Sequence, residues 1–207
     1  MQIDTAAGPG LAELDGPAAP AFLLVLTHGA GGGVRTPDVL AARRAGLALG
    51  GAVALVTQPY RQRGGRAPGS AARQDAAWLE IVAALRAGYP GCPLVQGGRS
   101  NGARVACRTA RAAGAVAVVA LAFPLHPPGK ASRPEYSRRE ELRGAGVPVL
   151  VLNGDRDPFG VPDPADVARL VVLAGQTHGL SKNPDAVRAA VSSWLEEMLS
   201  GAARGHR

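Results

Sequence analysis

The chain has 207 residues, enough for one domain with a sizeable core and too few for two ordinary ones. Hydrophobic residues make up 46% and charged residues 19%, which excludes a disordered chain; with aromatics at 4%, Ala, Val and Leu must build most of the core. Lys plus Arg outnumber Asp plus Glu by 23 to 16, but the basic residues are scattered Arg with no aromatic-interleaved run, so the net charge of +7 reads as a mildly basic surface and no nucleic-acid partner is expected.

Cys92 and Cys107 form no CxxC and are too few for a disulfide framework, so a reduced, cytoplasmic protein is expected. The first ten residues lack a basic segment followed by an apolar stretch, and no signal peptide is read there. The longest apolar stretch, 112–125, is interrupted by Gly114 and too short to span a bilayer.

In chain order, residues 3–5 and 11–14 suggest a short antiparallel hairpin. Continuous apolar runs follow at 22–26, 53–57, 94–96, 116–121, 147–152 and 170–173. Unbroken runs suit strands buried on both faces of a parallel sheet, whereas a strand with one wet face would alternate. Helices are predicted between them. Residues 75–87 place Ala76, Leu79, Val82 and Ala83 on one face. Residues 101–113 place Ala103, Ala106, Cys107 and Ala110 on one face and Arg104, Arg108 and Arg111 on another, with Gly114 ending the helix. The last helix begins with Asn183 as cap and Pro184 in its first turn, and Val187, Ala190, Val191, Trp194, Leu195 and Met198 form its apolar stripe. The expectation is a single α/β domain over 1–207, with a mostly parallel central sheet, helices on both faces and residues 201–207 as a flexible tail. Residues 61–74, rich in Arg and Gly, and the Pro-rich segment 125–138 read as irregular loops at the carboxyl edge of the sheet, where ligands bind in open α/β folds.

The strongest chemical signal is Gly98-Arg99-Ser100-Asn101-Gly102, a G-x-S-x-G sequence between a strand and a helix. Reversing from strand to helix in one tight turn strains the serine and lifts its hydroxyl above the sheet. The helix start behind it offers N–H groups and a positive dipole end to an oxyanion. His28-Gly29-Ala30-Gly31-Gly32-Gly33 follows the first central strand. It has neither the Gly-Lys-Ser/Thr of a phosphate loop nor the spacing of a dinucleotide fingerprint. It reads instead as the second part of an oxyanion hole, with Ala30 ahead of Gly31 as donor alongside Asn101. His28, at a strand end, reads chiefly as an organiser of that loop.

A serine nucleophile needs a base, and the base needs an orienting carboxylate. Of the four histidines, His206 lies in the tail, His28 in the Gly-rich loop and His126 in the Pro-rich loop. His178, between the last strand and the last helix, is the predicted base. The acid lies in Asn153-Gly154-Asp155-Arg156-Asp157-Pro158, with Asp157 favoured and Asp155 the alternative. The two aspartates have no clustered His or Glu beside them, so no metal site is read, and no cofactor is needed for the chemistry. His28, Gly31, Arg99 and His126 are the further residues expected to border a substrate pocket. Arg61, Arg63, Arg66 and Arg73 would favour carboxylate- or phosphate-bearing acyl groups if their loop borders the site.

These segments resemble the α/β-hydrolase superfamily over nearly the whole chain, and within it the small, lidless, dienelactone-hydrolase-like branch. The stretch Phe123-Pro124-Leu125-His126-Pro127-Pro128-Gly129-Lys130, together with residues 153–160, is similar to the group named after testis-expressed and NSL-complex hydrolase-like proteins. The resemblance implies an α/β-hydrolase sheet without a substantial cap domain. It further implies Ser100 as nucleophile, Asp157 as acid, His178 as base, and Ala30 with Asn101 as oxyanion donors. The expected function is a carboxylesterase-like serine hydrolase taking a small ester or acyl substrate. The rival expectation is an interaction module on the same fold, with these residues present but unused.

Overall fold

The computed structural model describes residues 1–204. Its elements, in chain order, are β1 (Gln2–Ile3), β2 (Gly10–Asp15), β3 (Leu23–Thr27), α1 (Pro37–Ala48), β4 (Ala52–Thr57), α2 (Pro59–Gln62), α3 (Ala71–Ala87), β5 (Leu94–Arg99), α4 (Asn101–Ala113), β6 (Ala117–Leu121), α5 (Arg139–Arg143), β7 (Val149–Gly154), β8 (Arg169–Leu173) and α6 (Pro184–Arg204). The strands form one eight-stranded sheet in the order β1-β2-β4-β3-β5-β6-β7-β8. The β1–β2 and β2–β4 pairs are antiparallel, and every other neighbouring pair is parallel.

Most apolar runs become strands because both faces of the sheet are covered; the edge strand β8 is only half-buried, contrary to the expectation, and leaves Val172 exposed. On β3, Leu23 and Val25 point into a core shared with Trp78, Ile81 and Val82 of α3 and Ala103 and Ala106 of α4. Leu24 and Leu26 point the other way, into a core with Val39, Ala42 and Ala45 of α1 and Val187, Val191 and Trp194 of α6. Side chains alternate along a strand, so a strand with two dry faces must be apolar at every position. One polar residue interrupts β5: Gln96 is fully buried, accepts from the Trp78 indole at 3.0 Å, and donates to the Ala106 carbonyl and to Thr109 Oγ1 at 2.7 and 3.0 Å. That network ties α3, β5 and α4 together without leaving the amide unpaired.

Four features of the fold differ from those the sequence predicts. Helix α1 fills a stretch for which the sequence predicts no helix. The 61–74 segment is not irregular throughout, since α2 covers its start and α3 begins at Ala71, capped by Ser70. Strand β5 continues past Gln96 to Arg99. Helix α6 runs through Gly201 to Arg204, residues expected in the tail; His206 and the remainder of 205–207 lie outside the described residues. The β1–β2 hairpin is present, α4 ends on Gly114 in the left-handed conformation, and Asn183 Oδ1 accepts from the Ala186 N–H at 3.0 Å.

Two arginines of α4 bridge neighbouring helices. Arg108 of α4 grips Asp75 of α3 with two hydrogen bonds of 2.8 and 2.6 Å, and Arg104 grips Glu141 of α5 with two of 2.8 and 2.6 Å. Such forked contacts are directional as well as attractive. The connection from β6 to β7 holds only α5 and a short turn at Pro134–Tyr136, so no cap domain is inserted over the sheet edge. Among the described residues, no helix is long and apolar enough to cross a membrane.

Leu24 is fully buried between β3 and the α1–α6 layer. Leu24→Ala is expected to lower unfolding stability by about 2–5 kcal/mol, read from urea denaturation; a loss below about 1 kcal/mol would contradict the packing described.

Candidate active site

Ser100 stands between β5 and α4 with φ 53° and ψ −114°, a left-handed conformation that a side-chain-bearing residue rarely adopts. Such strain costs on the order of 1–3 kcal/mol and persists only where the surroundings impose it. The flanking glycines show what imposes it. A Cβ at Gly98 would lie 2.8 Å from both the Gly102 carbonyl carbon and the Thr27 oxygen, and one at Gly102 would lie 2.7 Å from the His28 oxygen. Only bare backbone lets β5, α4 and the end of β3 pass this closely. The Ser100 N–H is itself fixed to the Leu121 carbonyl at 2.8 Å.

Three side chains remote in sequence meet above this turn. His178 Nε2 lies 2.8 Å from Ser100 Oγ, and its Nδ1 lies 2.9 and 3.1 Å from the two Asp157 oxygens. With a carboxylate at Nδ1, the ring proton resides there, and Nε2 is left to accept from the serine hydroxyl. The Asp157 carboxylate has no solvent exposure. It also accepts from the Phe159 N–H at 2.9 Å, and the Phe159 ring lies against the imidazole, centroids 4.2 Å apart. Asp155, the alternative acid, is exposed and stands outside this chain of hydrogen bonds.

The loops carrying Asp157 and His178 are stitched to each other. Asp155 N–H donates to the Leu173 carbonyl at 3.2 Å and Arg156 N–H to the Gln176 carbonyl at 3.0 Å. Gly154 permits this, since a Cβ there would lie 2.2 Å from the Gln176 oxygen. Asn153, fully buried at the end of β7, accepts from the Phe123 N–H and donates to the Phe123 and Gly160 carbonyls at 2.9–3.0 Å. The sequence predicts no role for Asn153 or Phe159. A buried asparagine opening a strand-end turn was the available signal for the first; nothing in the sequence marks the second.

The His28–Gly33 loop is held from beneath. His28 is fully buried; its Nε2 accepts from the Gln58 N–H at 3.0 Å, and its Nδ1 lies 2.8 Å from the Gly29 carbonyl. Its ring is therefore enclosed by protein rather than open to solvent. From α2, Tyr60 Oη donates to the Ala30 carbonyl at 3.1 Å and Arg61 Nε to the Gly32 carbonyl at 2.9 Å. Burial pushes the Tyr60 hydroxyl up to about 12, so it stays a donor across the physiological range. The loop runs beside the serine: a Cβ on Gly29 would lie 3.3 Å from Ser100 Cβ, whereas Gly31 faces open space. Ala30 is half-buried and Asn101, the first residue of α4, follows Ser100 directly.

His126 sits against the Asp157–Gly160 turn, its backbone N–H donating to the Phe159 carbonyl at 3.0 Å. His126 has Nδ1 2.9 Å from the Pro127 carbonyl and helps line a cavity of about 370 Å³ with Ser132, Arg133 and Arg139. Arg99 is engaged by its own neighbours, Asp38 and the His178 backbone. Arg61 is committed to Gly32 and Gly65, and Arg63 to the Ala7 carbonyl. Arg63 and Arg73 line a cavity of about 180 Å³ with Gln58 and Gln74, and neither Ser100 nor His178 reaches it.

Residues 20–181 match the family described as alpha/beta hydrolase domain. The chain belongs to that family. No curated protein matches it. Among solved structures, a serine hydrolase without lid from Xanthomonas campestris is similar at TM-score 0.74 and 20% identity, over 95% of this chain and 93% of that one. Est1E from Butyrivibrio proteoclasticus is similar at TM-score 0.78 and 18% identity, over 97% and 98%. Dienelactone hydrolase from Anabaena variabilis is similar at TM-score 0.73 and 18% identity, over 95% of each. At such identities the likeness is one of fold, and this α/β hydrolase shares the lidless architecture. The narrower likeness to the testis-expressed and NSL-complex group is not among these matches.

Burial, the largest cause, and the nearby Arg61 charge hold the His28 imidazole below its ordinary value of 6.5, although its bond to Gly29 pulls the other way. The folded protein therefore keeps His28 neutral while the unfolded chain takes up a proton, so stability present above pH 6.5 is lost as pH falls through and below it. His28→Gln is expected to flatten the loss of stability between neutral pH and about 5.5, read from urea denaturation at both. An unchanged slope would mean that His28 does not titrate against folding.

Proposed function

We propose that this protein is a serine hydrolase of carboxylic esters or related acyl compounds, one catalytic domain acting through Ser100, His178 and Asp157. The observation that carries the reading is the continuous hydrogen-bond chain from Ser100 Oγ through both ring nitrogens of His178 to the buried carboxylate of Asp157. A fold alone does not fix a function; a nucleophile, a base and an orienting acid in line supply the chemistry.

In the first step the Ser100 oxygen attacks the acyl carbonyl while Nε2 of His178 takes its proton. The carbonyl oxygen becomes an oxyanion, for which the backbone N–H groups of Ala30 and Asn101 are the proposed donors. Donors of this type contribute about 3–4 kcal/mol each to transition-state stabilisation. The positive end of α4 adds to the same field. Asp157 keeps the proton on Nδ1 and stabilises the imidazolium. His178 then returns the proton to the leaving alcohol, an acyl-enzyme forms, and water activated by the same base releases the acid. Tyr60 and Arg61 have the supporting task of holding the Ala30 loop in place through the Ala30 and Gly32 carbonyls.

The solved relatives are named as esterases, a serine hydrolase and a dienelactone hydrolase, and Est1E has been solved with ferulic acid bound. These names support hydrolysis of small acyl compounds. The open β6–β7 connection supports substrates that stay partly solvated over long lipids. With Arg61 and Arg63 committed to backbone carbonyls, the neutral-ester reading is preferred over selection for anionic acyl groups. Cys92 and Cys107 are free thiols, and burial pushes the Cys107 thiol well up, so neither is proposed as a nucleophile; free thiols fit a reduced, cytoplasmic setting.

Wild-type protein is expected to react with a fluorophosphonate and to turn over a short p-nitrophenyl ester. Ser100→Ala is expected to do neither while retaining its far-UV circular dichroism, and Asp157→Asn to lose about 10⁴-fold in kcat. Equal labelling of wild type and Ser100→Ala would remove Ser100 as nucleophile. No labelling of the folded wild type would favour a catalytically silent interaction module.

A further inference from the structure

Arg99, the residue immediately before Ser100, is half-sunk beneath the site with its side chain only 18% exposed. Its guanidinium reaches two groups on separate elements. Nη2 donates to the backbone carbonyl of His178 at 2.9 Å, and Nε lies 3.1 Å from Asp38 Oδ2 in the first turn of α1. The Asp38 carboxylate has no solvent exposure, and no hydrogen bond reaches either of its oxygens; its contact with Nε is an ion pair without hydrogen-bond alignment. Arg99 is therefore the cation that compensates a buried charge. Gly29, on the loop that carries Ala30, lies against the same guanidinium, since a Cβ there would be 3.5 Å from Nη1.

We propose that Arg99 is a positioning residue that sets His178 against Ser100, with Asp38 as its anchor. The inference rests on the serine hydrolase reading and assigns the middle residue of Gly98-Arg99-Ser100 a task that reading does not require. The geometry closes a ring. Arg99 is bonded to Ser100 along the chain, its guanidinium holds the His178 carbonyl, and the His178 ring holds Ser100 Oγ. Asp157 fixes the imidazole from its Nδ1 side, and Arg99 fixes the backbone from which the imidazole hangs. Without Arg99, the His178 residue itself has no side-chain tie to the strand that carries the nucleophile. The segment between β8 and α6 has no helix or strand of its own, and Leu180 within it takes a φ of 44°. Misplacement of a catalytic group by about 1 Å costs on the order of a hundredfold in rate.

The pairing suits arginine. Its planar, delocalised cation lets one arm donate to the His178 carbonyl while the Nε edge keeps positive charge beside Asp38, a spread that a compact lysine ammonium does not match. Asp38 attracts that edge and lies in the first turn of α1, where the helix dipole favours a carboxylate.

The test compares wild type, Arg99→Lys, Arg99→Ala and Asp38→Asn in ester turnover and in fluorophosphonate labelling rate. Arg99→Lys is expected to lower kcat about tenfold and Arg99→Ala about a hundredfold, each with KM within about twofold. Asp38→Asn should fall in the same direction by less. Added guanidinium ion at low millimolar concentration is expected to restore part of the Arg99→Ala rate and to leave wild type unchanged, which a purely structural role would not produce. Arg99→Ala orphans the buried Asp38 charge, so R99M/D38L, which removes both charges, supplies the same measurement if the single variant unfolds. Folded Arg99 variants with wild-type kcat and labelling rate, or an Arg99→Ala loss that guanidinium does not touch, would overturn the positioning role alone. Wild type without Ser100-dependent labelling would overturn the hydrolase reading and this inference with it.

Discussion

Everything at the carboxyl edge of this sheet depends on the backbone reversal at Ser100. A residue with a side chain is held at φ 53° because β5, α4 and the end of β3 pass one another too closely for any Cβ at Gly98 or Gly102. The strain is local, but what sustains it is spread through the core. Helix α4 is clamped to α3 and α5 by Arg108 and Arg104, and β5 is pinned between β3 and β6. A turn imposed in this way delivers its hydroxyl to one place, and the loops after β7 and β8 have only to bring a carboxylate and an imidazole to it.

Those loops are made reliable by buried polar contacts. Asn153 joins the end of β6 to the Asp157 turn, Gly154 lets that turn press against the Gln176 segment, and His28 with Gln58 fixes the loop beside the serine. The Asn153 and His28 contacts pair backbone groups with buried side chains, and the one at Gly154 is backbone against backbone. Such bonds contribute modestly when made and cost more when broken, so they specify a geometry more than they add stability.

The strands were legible because a sheet covered on both faces demands apolar residues at consecutive positions, a demand that Leu23–Thr27 and Ala117–Leu121 display openly. Helices α4 and α6 were legible because their arginines and glutamates contrast with their buried faces. Helix α1 has little such contrast. Ala41, Ala42 and Ala45 bury fully because they are small enough for close packing under α6, but alanine is equally at home on a surface. The Ser100–His178–Asp157 convergence was legible from motif order and strand position. The environment that steadies it was not: nothing in the sequence marks Asp38, and its link to Arg99 exists only once α1 and β5 are side by side. Likewise, Arg61 reads in sequence as one of four loop arginines available to an anionic acyl group, and only the fold turns it toward the Gly32 carbonyl.

The most direct measurement of the central claim is a crystal structure of the protein after reaction with an organophosphonate. The account expects phosphorus bonded to Ser100 Oγ, with the phosphoryl oxygen within about 2.7–3.1 Å of the Ala30 and Asn101 nitrogens and His178 still held by Asp157. Phosphorus on another residue, or a phosphoryl oxygen turned away from both nitrogens, would contradict it.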